Sequence, residues 1–250
     1  MPPVHEARVS RRVPAEPGTA ASRYAFVHGL RQTRGAIELW RTERWLVLRR
    51  WFAGSLAIAV LLLLAVWAVA GISNASGLGV QTTGPPFAVG DLVDAFAIFG
   101  KNLLVLALHA MACIAGFIAG ASLPLQAEHR SGISRVIHER GGPIAIAFVI
   151  GATTFSLSAQ ALVIGSDAAA VAARLHTSSA VLLLVLSAHA PLELTALFLP
   201  LAAWISASRR GAWDQLLAAT FVTVVIALPM LLAAALIEVY VSPHILHALI

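Results

Sequence analysis

The sequence predicts an all-α polytopic membrane protein with about five transmembrane helices and its N-terminus inside. Of the 250 residues, 59% are hydrophobic and only 12% are charged, whereas a soluble domain carries about 25% charged residues. The mean hydropathy of +0.84 points the same way. The apolar residues also form runs of about 20 residues or more, the length needed to cross a bilayer. These three observations exclude a soluble globular protein, a disordered chain and a coiled coil.

The first 50 residues are polar and rich in arginine, so no cleavable signal peptide is predicted. Residues 1–34 combine prolines and small residues with scattered charges, which predicts a disordered basic cytoplasmic tail. Residues 35–50 interleave tryptophans with arginines, a pattern typical of an amphipathic juxtamembrane helix in the headgroup region. Four residues of this segment lie near one helical face: Ile37, Trp40, Arg44 and Leu48. The same pattern equally fits a positively charged anchor with interfacial tryptophans.

Residues 51–250 are predicted to form a helical transmembrane domain. Its five spans are expected at about 51–71, 98–123, 144–165, 178–206 and 215–241. The fourth is too long for one straight span, and it contains Pro191 and Pro200. Proline removes a backbone donor and clashes with the carbonyl four residues earlier. We therefore expect this stretch to be one helix kinked at Pro191, or two half-helices broken there.

The positions of the basic residues predict the orientation. With a cytoplasmic N-terminus and five crossings, fifteen of the 17 Lys and Arg residues lie inside. Only Lys101 and Arg174 then lie outside. The positive-inside rule therefore favours an inside N-terminus and an outside C-terminus. Because the chain is rich in Ala and Arg and has a single Lys, a bacterial source with a high-GC genome, and hence the bacterial plasma membrane, is expected.

Four ionisable side chains fall within the apolar stretches: His109, His189, Glu193 and Glu238. Each is a candidate functional residue, because an ionisable group at bilayer depth is costly unless it faces protein or water. His189 and Glu193 are four residues apart, so on a continuous helix they share a face and can share a proton. The alternative is architectural, with Glu193 capping a broken helix and His189 bridging two spans.

A polar stripe follows one face of the second span. Its members are Asn102, His109, Cys113, Gly116 and Gly120. The two glycines are predicted to allow close approach of another helix. Counted from the outer ends of their spans, His109 and His189 have similar depths near the midplane. This predicts a catalytic cluster of His109, His189 and Glu193, if the protein is an enzyme. The alternative is a packing stripe in which His109 hydrogen-bonds a backbone carbonyl.

No known catalytic or cofactor-binding motif is present, neither a P-loop nor a Gly-x-Ser-x-Gly, His-Glu-x-x-His or Cys-x-x-Cys sequence. Cys113 is the single cysteine, and His244 and His247 have no third metal ligand nearby in sequence. We therefore expect no cofactor and no metal. Lys101 and Glu238 lie near the outer ends of their spans, and we expect them to form an ion pair at the outer rim.

Three segments carry a resemblance to a known family. They are FGKNLLVLALHAMACIAGFIAG (99–120), SAHAPLELTALFLPLAAW (187–204) and LIEVYVSP (236–243). They resemble the Asn-led helix, the Pro-His-Gly…Glu-Leu-Pro-Ala segment and the terminal signature of the stage II sporulation protein M (SpoIIM) family. The matching polar positions are Asn102, His189, Glu193 and Glu238. Departures from the family pattern occur at Ala188, Ala190 and Thr195, so a divergent member is expected.

The resemblance implies a non-enzymatic scaffold, or a subunit of a membrane complex with a role in export or in the cell envelope. Its expected partners are the lipid bilayer and either another membrane protein or a second copy, and no nucleic acid. The first alternative is a cofactor-independent intramembrane acid–base enzyme, for example an isomerase or epimerase of a membrane-delivered peptide or lipid-linked substrate. The second alternative is a proton-coupled transporter that uses the same residues.

Overall fold

The computed structural model describes residues 17–76, 90–122 and 131–249, and these residues form helices joined by short turns. The helices are α1 (Pro17–Ser76), α2 (Leu92–Phe117), α3 (Gly132–Arg174), α4 (Ser179–Leu186), α5 (Ala190–Arg210), α6 (Leu216–Tyr240) and α7 (Ser242–Leu249). A π-helical turn, Ile118–Ser122, extends α2, and a 3-10 turn, Trp213–Gln215, precedes α6. No strand occurs in the described ranges. The predicted all-α fold is therefore confirmed.

Five helical segments are long and apolar enough to cross a membrane. They are Trp45–Ser73, Leu92–Gly120, Ile146–Arg174, Ala190–Arg210 and Trp213–Leu249. The predicted number of spans is confirmed, although several spans extend beyond the predicted limits. The second span begins at Leu92 instead of residue 98 because Asp91 and Asp94 form a capping box. The Asp91 carboxylate accepts hydrogen bonds from the backbone N–H groups of Val93 and Asp94 at 2.8 and 3.1 Å.

Helix α1 begins well before the predicted juxtamembrane segment. The prediction of a disordered tail is wrong for residues 17–34, which are helical, and residues 1–16 lie outside the described ranges. Pro17 opens the helix, where its missing N–H costs nothing, and no further proline occurs before Pro85. The segment 35–50 is helical and continuous with the first span.

A bend in α1 is required by the contact between Trp40 and Trp51. Their rings meet edge to face with centroids 5.1 Å apart, yet a straight helix would separate residues eleven positions apart by about 16 Å. The helix therefore bends toward this face between the two tryptophans. The Trp40 indole also donates a hydrogen bond to the Gln215 side chain at 3.3 Å. The juxtamembrane segment is thus attached to the turn between α5 and α6.

Helix α5 is the centre of the bundle. It contacts α1, α2 and α6, and 67% of its apolar segment is buried. Two side chains bond to its backbone carbonyls: the Ser55 hydroxyl to that of Thr195, and the Cys113 thiol to that of Pro200. Helix α3 is peripheral, because only 6% of its apolar segment is buried.

The two glycines of the second span accommodate indole rings. A methyl group on Gly116 would collide with the indole of Trp204, and one on Gly120 would collide with the indole of Trp213. The predicted close approach of a helix is therefore replaced by the insertion of aromatic side chains. The two rings also meet edge to face, with centroids 6.5 Å apart.

The fourth stretch is broken, as predicted, immediately before Pro191. Helix α4 ends at Leu186, a turn covers residues 187–189, and α5 starts at Ala190 with Pro191 in its first turn. Proline is favoured in a first turn because no N–H is needed there. Helix α4 packs against α7, where Leu182 and Leu246 belong to a small separate apolar cluster. Only α5 of the two halves is long enough to cross a membrane.

Candidate functional site at the helix break

His189 occupies the N-cap position of α5, at the break. The residue is 3% exposed, and its Nδ1 lies 3.0 Å from the Ser242 hydroxyl. That hydroxyl donates to the backbone carbonyl of Ile237 at 3.4 Å. We assign the neutral ring's proton to Nδ1, because a hydroxyl that donates to Ile237 is free to accept a hydrogen bond from the imidazole. The lone pair is then on Nε2.

Two carboxylates lie close to this imidazole. Nε2 of His189 lies 3.9 Å from Oε2 of Glu238, a residue in the last turns of α6. Glu193 stands in the first turn of α5. One nitrogen or oxygen atom from each of the three residues lies within 4.8 Å of the others. The break thus gathers one base and two acids around a single point.

Asn102 of α2 stands beside Glu193. Its side chain is nine-tenths buried and interacts electrostatically with the Glu193 carboxylate. Its Nδ2 makes no hydrogen bond of standard geometry within the described part of the chain. Burying an amide donor without a partner costs about 1–3 kcal/mol. The Asn102 amide N–H can therefore donate a hydrogen bond to the Glu193 carboxylate, or to a ligand bound next to it.

A cavity of about 310 Å³ connects these side chains. Its polar lining consists of Lys101, Asn102, His189, Glu193 and Glu238. Its apolar lining includes Leu62 and Val66 of α1, Ile98 of α2, Ile164 of α3, Leu186 of α4 and Leu194 of α5. The site is therefore a mostly apolar pocket with a few convergent polar groups, a composition typical of small-molecule sites.

Lys101 and Glu238 share this cavity without forming the ion pair that we expected. The structure records no contact between them within ion-pair distance in the part of the chain that it describes. The Lys101 side chain is exposed, and its charge acts on Glu238 from a longer distance. The direct partner of Glu238 is instead His189.

His109 does not join the cluster, so the predicted grouping with His189 and Glu193 is wrong. Its Nδ1 hydrogen-bonds the Val105 carbonyl one turn earlier at 2.9 Å, and its ring meets Phe198 edge to face, with centroids 5.5 Å apart. His109 follows Asn102 by seven residues, about 10 Å along α2. The depths differ from those predicted because α2 begins at Leu92 instead of residue 98, and because His189 lies at the start of the crossing helix α5.

The other predicted positions take part in helix starts, helix packing or hydrogen bonds to the helix backbone. Pro191 fixes the start of α5, and Gly116 and Gly120 accommodate tryptophan rings. His244 and His247 of α7 each bond the carbonyl four residues earlier, at 2.7 and 2.6 Å. Among the described residues, the one group with metal-binding geometry is that of His189, Glu193 and Glu238.

Neither the role of Ser242 nor the pairing of His189 with Glu238 was predicted from the sequence. Ser242 lies four residues after Glu238, so the spacing puts both near one helical face. That spacing was the available signal. The pairing with His189 had no signal, because it depends on how α4 and α7 pack at this end of the bundle.

Comparison of the chain with protein-family models, with curated proteins and with solved structures finds no match. Function is therefore inferred from the geometry of the site.

Proposed function

We propose that this protein is a membrane-embedded acid–base catalyst that acts on a membrane-delivered substrate in the cavity at the helix break. The observation that carries the proposal is the orientation of His189. Its Nδ1 is held by Ser242, and its Nε2 faces Glu238 at 3.9 Å. A positioned base with an adjacent acid is what proton transfer to and from a substrate requires.

The supported reaction class is isomerisation without a cofactor. Nε2 of His189 takes a proton from a carbon next to a carbonyl group, and a protonated carboxyl group of Glu193 or Glu238 returns a proton to the same or a neighbouring carbon. The net change is the position or the face of one hydrogen, so no oxidant or reductant is consumed. The apolar walls of the cavity fit a peptide or a lipid-linked molecule.

Deuterium incorporation tests this proposal. Membranes from cells grown in ordinary water, carrying the wild-type protein or His189→Asn, are incubated in D₂O, and peptides and lipids that co-purify in mild detergent are then analysed by mass spectrometry. We expect a compound that gains deuterium at one carbon with the wild type and not with His189→Asn. His244→Ala, which removes an exposed histidine, is the matched control and keeps the wild-type pattern. Equal labelling with wild type and His189→Asn would refute the proposal.

A second candidate function is that of a scaffold or complex subunit, in line with the resemblance to the stage II sporulation protein M family. The observation that favours it is the face of α3. Its apolar segment is only 6% buried, and it carries exposed Ser156, which accepts a hydrogen bond from Gln160 at 3.2 Å. Polar side chains in the middle of a span favour association with another membrane helix.

Co-purification separates the two candidates. A stoichiometric membrane partner that is lost in Gln160→Leu, and retained in Leu162→Ala on the same helix, supports the subunit function. Retention of the same partner by Gln160→Leu counts against it. If no carbon is labelled and movement of a substrate needs a membrane potential, the site belongs to a proton-coupled transporter instead. In each case we propose a bacterial plasma membrane with the N-terminus in the cytoplasm, which the distribution of arginines supports.

A further inference from the structure

We propose that His189, Glu193 and Glu238 also form a binding site for a divalent transition-metal ion, which competes with protons for the same atoms. The donor set is one imidazole nitrogen and two carboxylates, with one atom of each within 4.8 Å of the others. Zinc sites that keep an open position use three protein ligands of these types. Three ligands on two helices and a cavity beside them leave room for a water molecule or a substrate.

The distances need only a small adjustment. Ligand bonds of about 2.0–2.1 Å in a tetrahedral zinc site put neighbouring ligand atoms about 3.4 Å apart. Nε2 of His189 and Oε2 of Glu238 are 3.9 Å apart. All three ligand atoms lie within 4.8 Å of one another, and rotations of the two glutamate side chains, of which that of Glu238 is 35% exposed, would shorten these separations.

The histidine is already oriented as a ligand. Metal-bound histidines almost always use their second ring nitrogen in a hydrogen bond that fixes the tautomer. Here Nδ1 bonds to Ser242, whose hydroxyl bonds to the Ile237 carbonyl. Asn102 stands in the corresponding position beside Glu193. The free lone pair of Nε2 lies on the side of Glu238, and a carboxylate oxygen of Glu193 belongs to the same cluster.

Charge balance favours a cation at this point. Two carboxylates brought this close together in a largely apolar bundle repel each other unless a proton or a cation lies between them. Lys101 is the nearest basic side chain in the cavity lining, and it makes no ion pair with Glu238 in the described part of the chain. A divalent ion neutralises both carboxylates at once.

Metal binding and proton transfer at this site exclude each other. An ion on Nε2 occupies the lone pair that proton transfer needs, so Zn²⁺ is expected to inhibit the proposed reaction. The binding itself does not depend on that reaction, and it can be measured without a substrate.

Titration of the purified full-length protein with Zn²⁺ and Co²⁺ tests the inference. The protein carries His244→Ala and His247→Ala, because the spacing of these histidines on α7 could bind zinc separately. We expect one Zn²⁺ per chain, and a Co²⁺ spectrum of low-coordinate nitrogen and oxygen ligation. Glu193→Gln and Glu238→Gln keep the shape of each side chain and should abolish stoichiometric binding.

Ser242→Ala provides a milder variant that keeps all three ligands. We expect its zinc affinity to fall about tenfold, the effect typical of losing a hydrogen bond to a ligand. His109→Ala, outside the cluster, should bind zinc as before. Zinc bound well below one per chain by the folded protein, or binding unchanged in both glutamine variants, would overturn the inference. Deuterium labelling that persists when zinc binding fails would leave the proposed catalytic function intact.

Discussion

His189 and Glu238 face each other across the break in the fourth stretch, with Nε2 and Oε2 3.9 Å apart. The histidine is 3% exposed, whereas the glutamate side chain is 35% exposed. Glu238 therefore connects a buried base to the accessible part of the cavity. Such an arrangement gives a proton a short path between His189 and the surroundings, and it makes Glu238 the more adaptable of the two partners.

Ser242→Ala is expected to destabilise the protein by about 1–3 kcal/mol, because the buried Nδ1 of His189 loses its acceptor. Thermal unfolding in a fixed detergent gives the change in stability. Ser187→Ala, at an exposed serine in the same turn region, is the control and should change stability by about 0.5 kcal/mol or less. Equal stabilities of the two variants would mean that Ser242 does not hold His189.

Glu193→Gln should leave the stability unchanged or raise it by about 1 kcal/mol, because it removes a repulsive carboxylate from a buried group. The same change should abolish the deuterium labelling if Glu193, and not Glu238, is the acid that returns the proton, since an amide cannot do so. Stability and labelling are measured on the same preparation. A large loss of stability with full labelling would show that Glu193 is architectural, the alternative that its sequence position left open.

Gly116→Ala is expected to destabilise the bundle by about 1–3 kcal/mol, because the new methyl group overlaps the Trp204 indole. Gly100→Ala lies on the same helix with open space around it. It should be neutral or stabilising by about 0.5–1 kcal/mol, as glycine is a poor helix former. If the overlap is the cause, Trp204→Phe combined with Gly116→Ala should cost less than the sum of the single changes.

Much of the fold was predictable because lipid and water impose strong patterns on the sequence. Uncharged runs had to be spans, and Pro191 marked a position where the fourth stretch could break. Proline alone did not decide the break, because Pro200 and Pro229 lie inside continuous helices. The capping box at Asp91 was also readable, since Asp91 and Asp94 have its characteristic spacing. Residues 17–34 were misjudged because a basic, polar composition also fits a surface helix.

The candidate site was predictable only in part. The cost of burying His189, Glu193 and Glu238 marked each of them from sequence alone. Which of these side chains come into contact depends on packing between helices that are distant in sequence. The sequence does not show that packing, so Lys101 was predicted as the partner of Glu238 when the partner is His189. The sequence placed His109 at the depth of His189 because the start of the second span and the helix break were not known. With α2 starting at Leu92 and His189 at the start of α5, the two histidines lie at different depths.

Trp40→Ala should cost about 3 kcal/mol of stability, the usual effect of truncating a buried aromatic side chain. It removes both the edge-to-face contact with Trp51 and the hydrogen bond to Gln215. Thermal unfolding compares it with Trp45→Ala, whose ring is 76% exposed and should contribute about 0.5 kcal/mol or less. A Trp40→Ala protein as stable as the control would show that the juxtamembrane segment is not anchored to the bundle.

The orientation can be measured with single cysteines, because the native Cys113 is fully buried and should not react. Ser131 and His176 are exposed residues at the two ends of α3, whose apolar segment is a candidate span. With the N-terminus inside, a membrane-impermeant maleimide added to intact cells should label His176→Cys and not Ser131→Cys. Lysed cells should label both, which controls for accessibility. Labelling of Ser131→Cys alone in intact cells would reverse the predicted topology, and the site at the helix break would then lie nearer the cytoplasm.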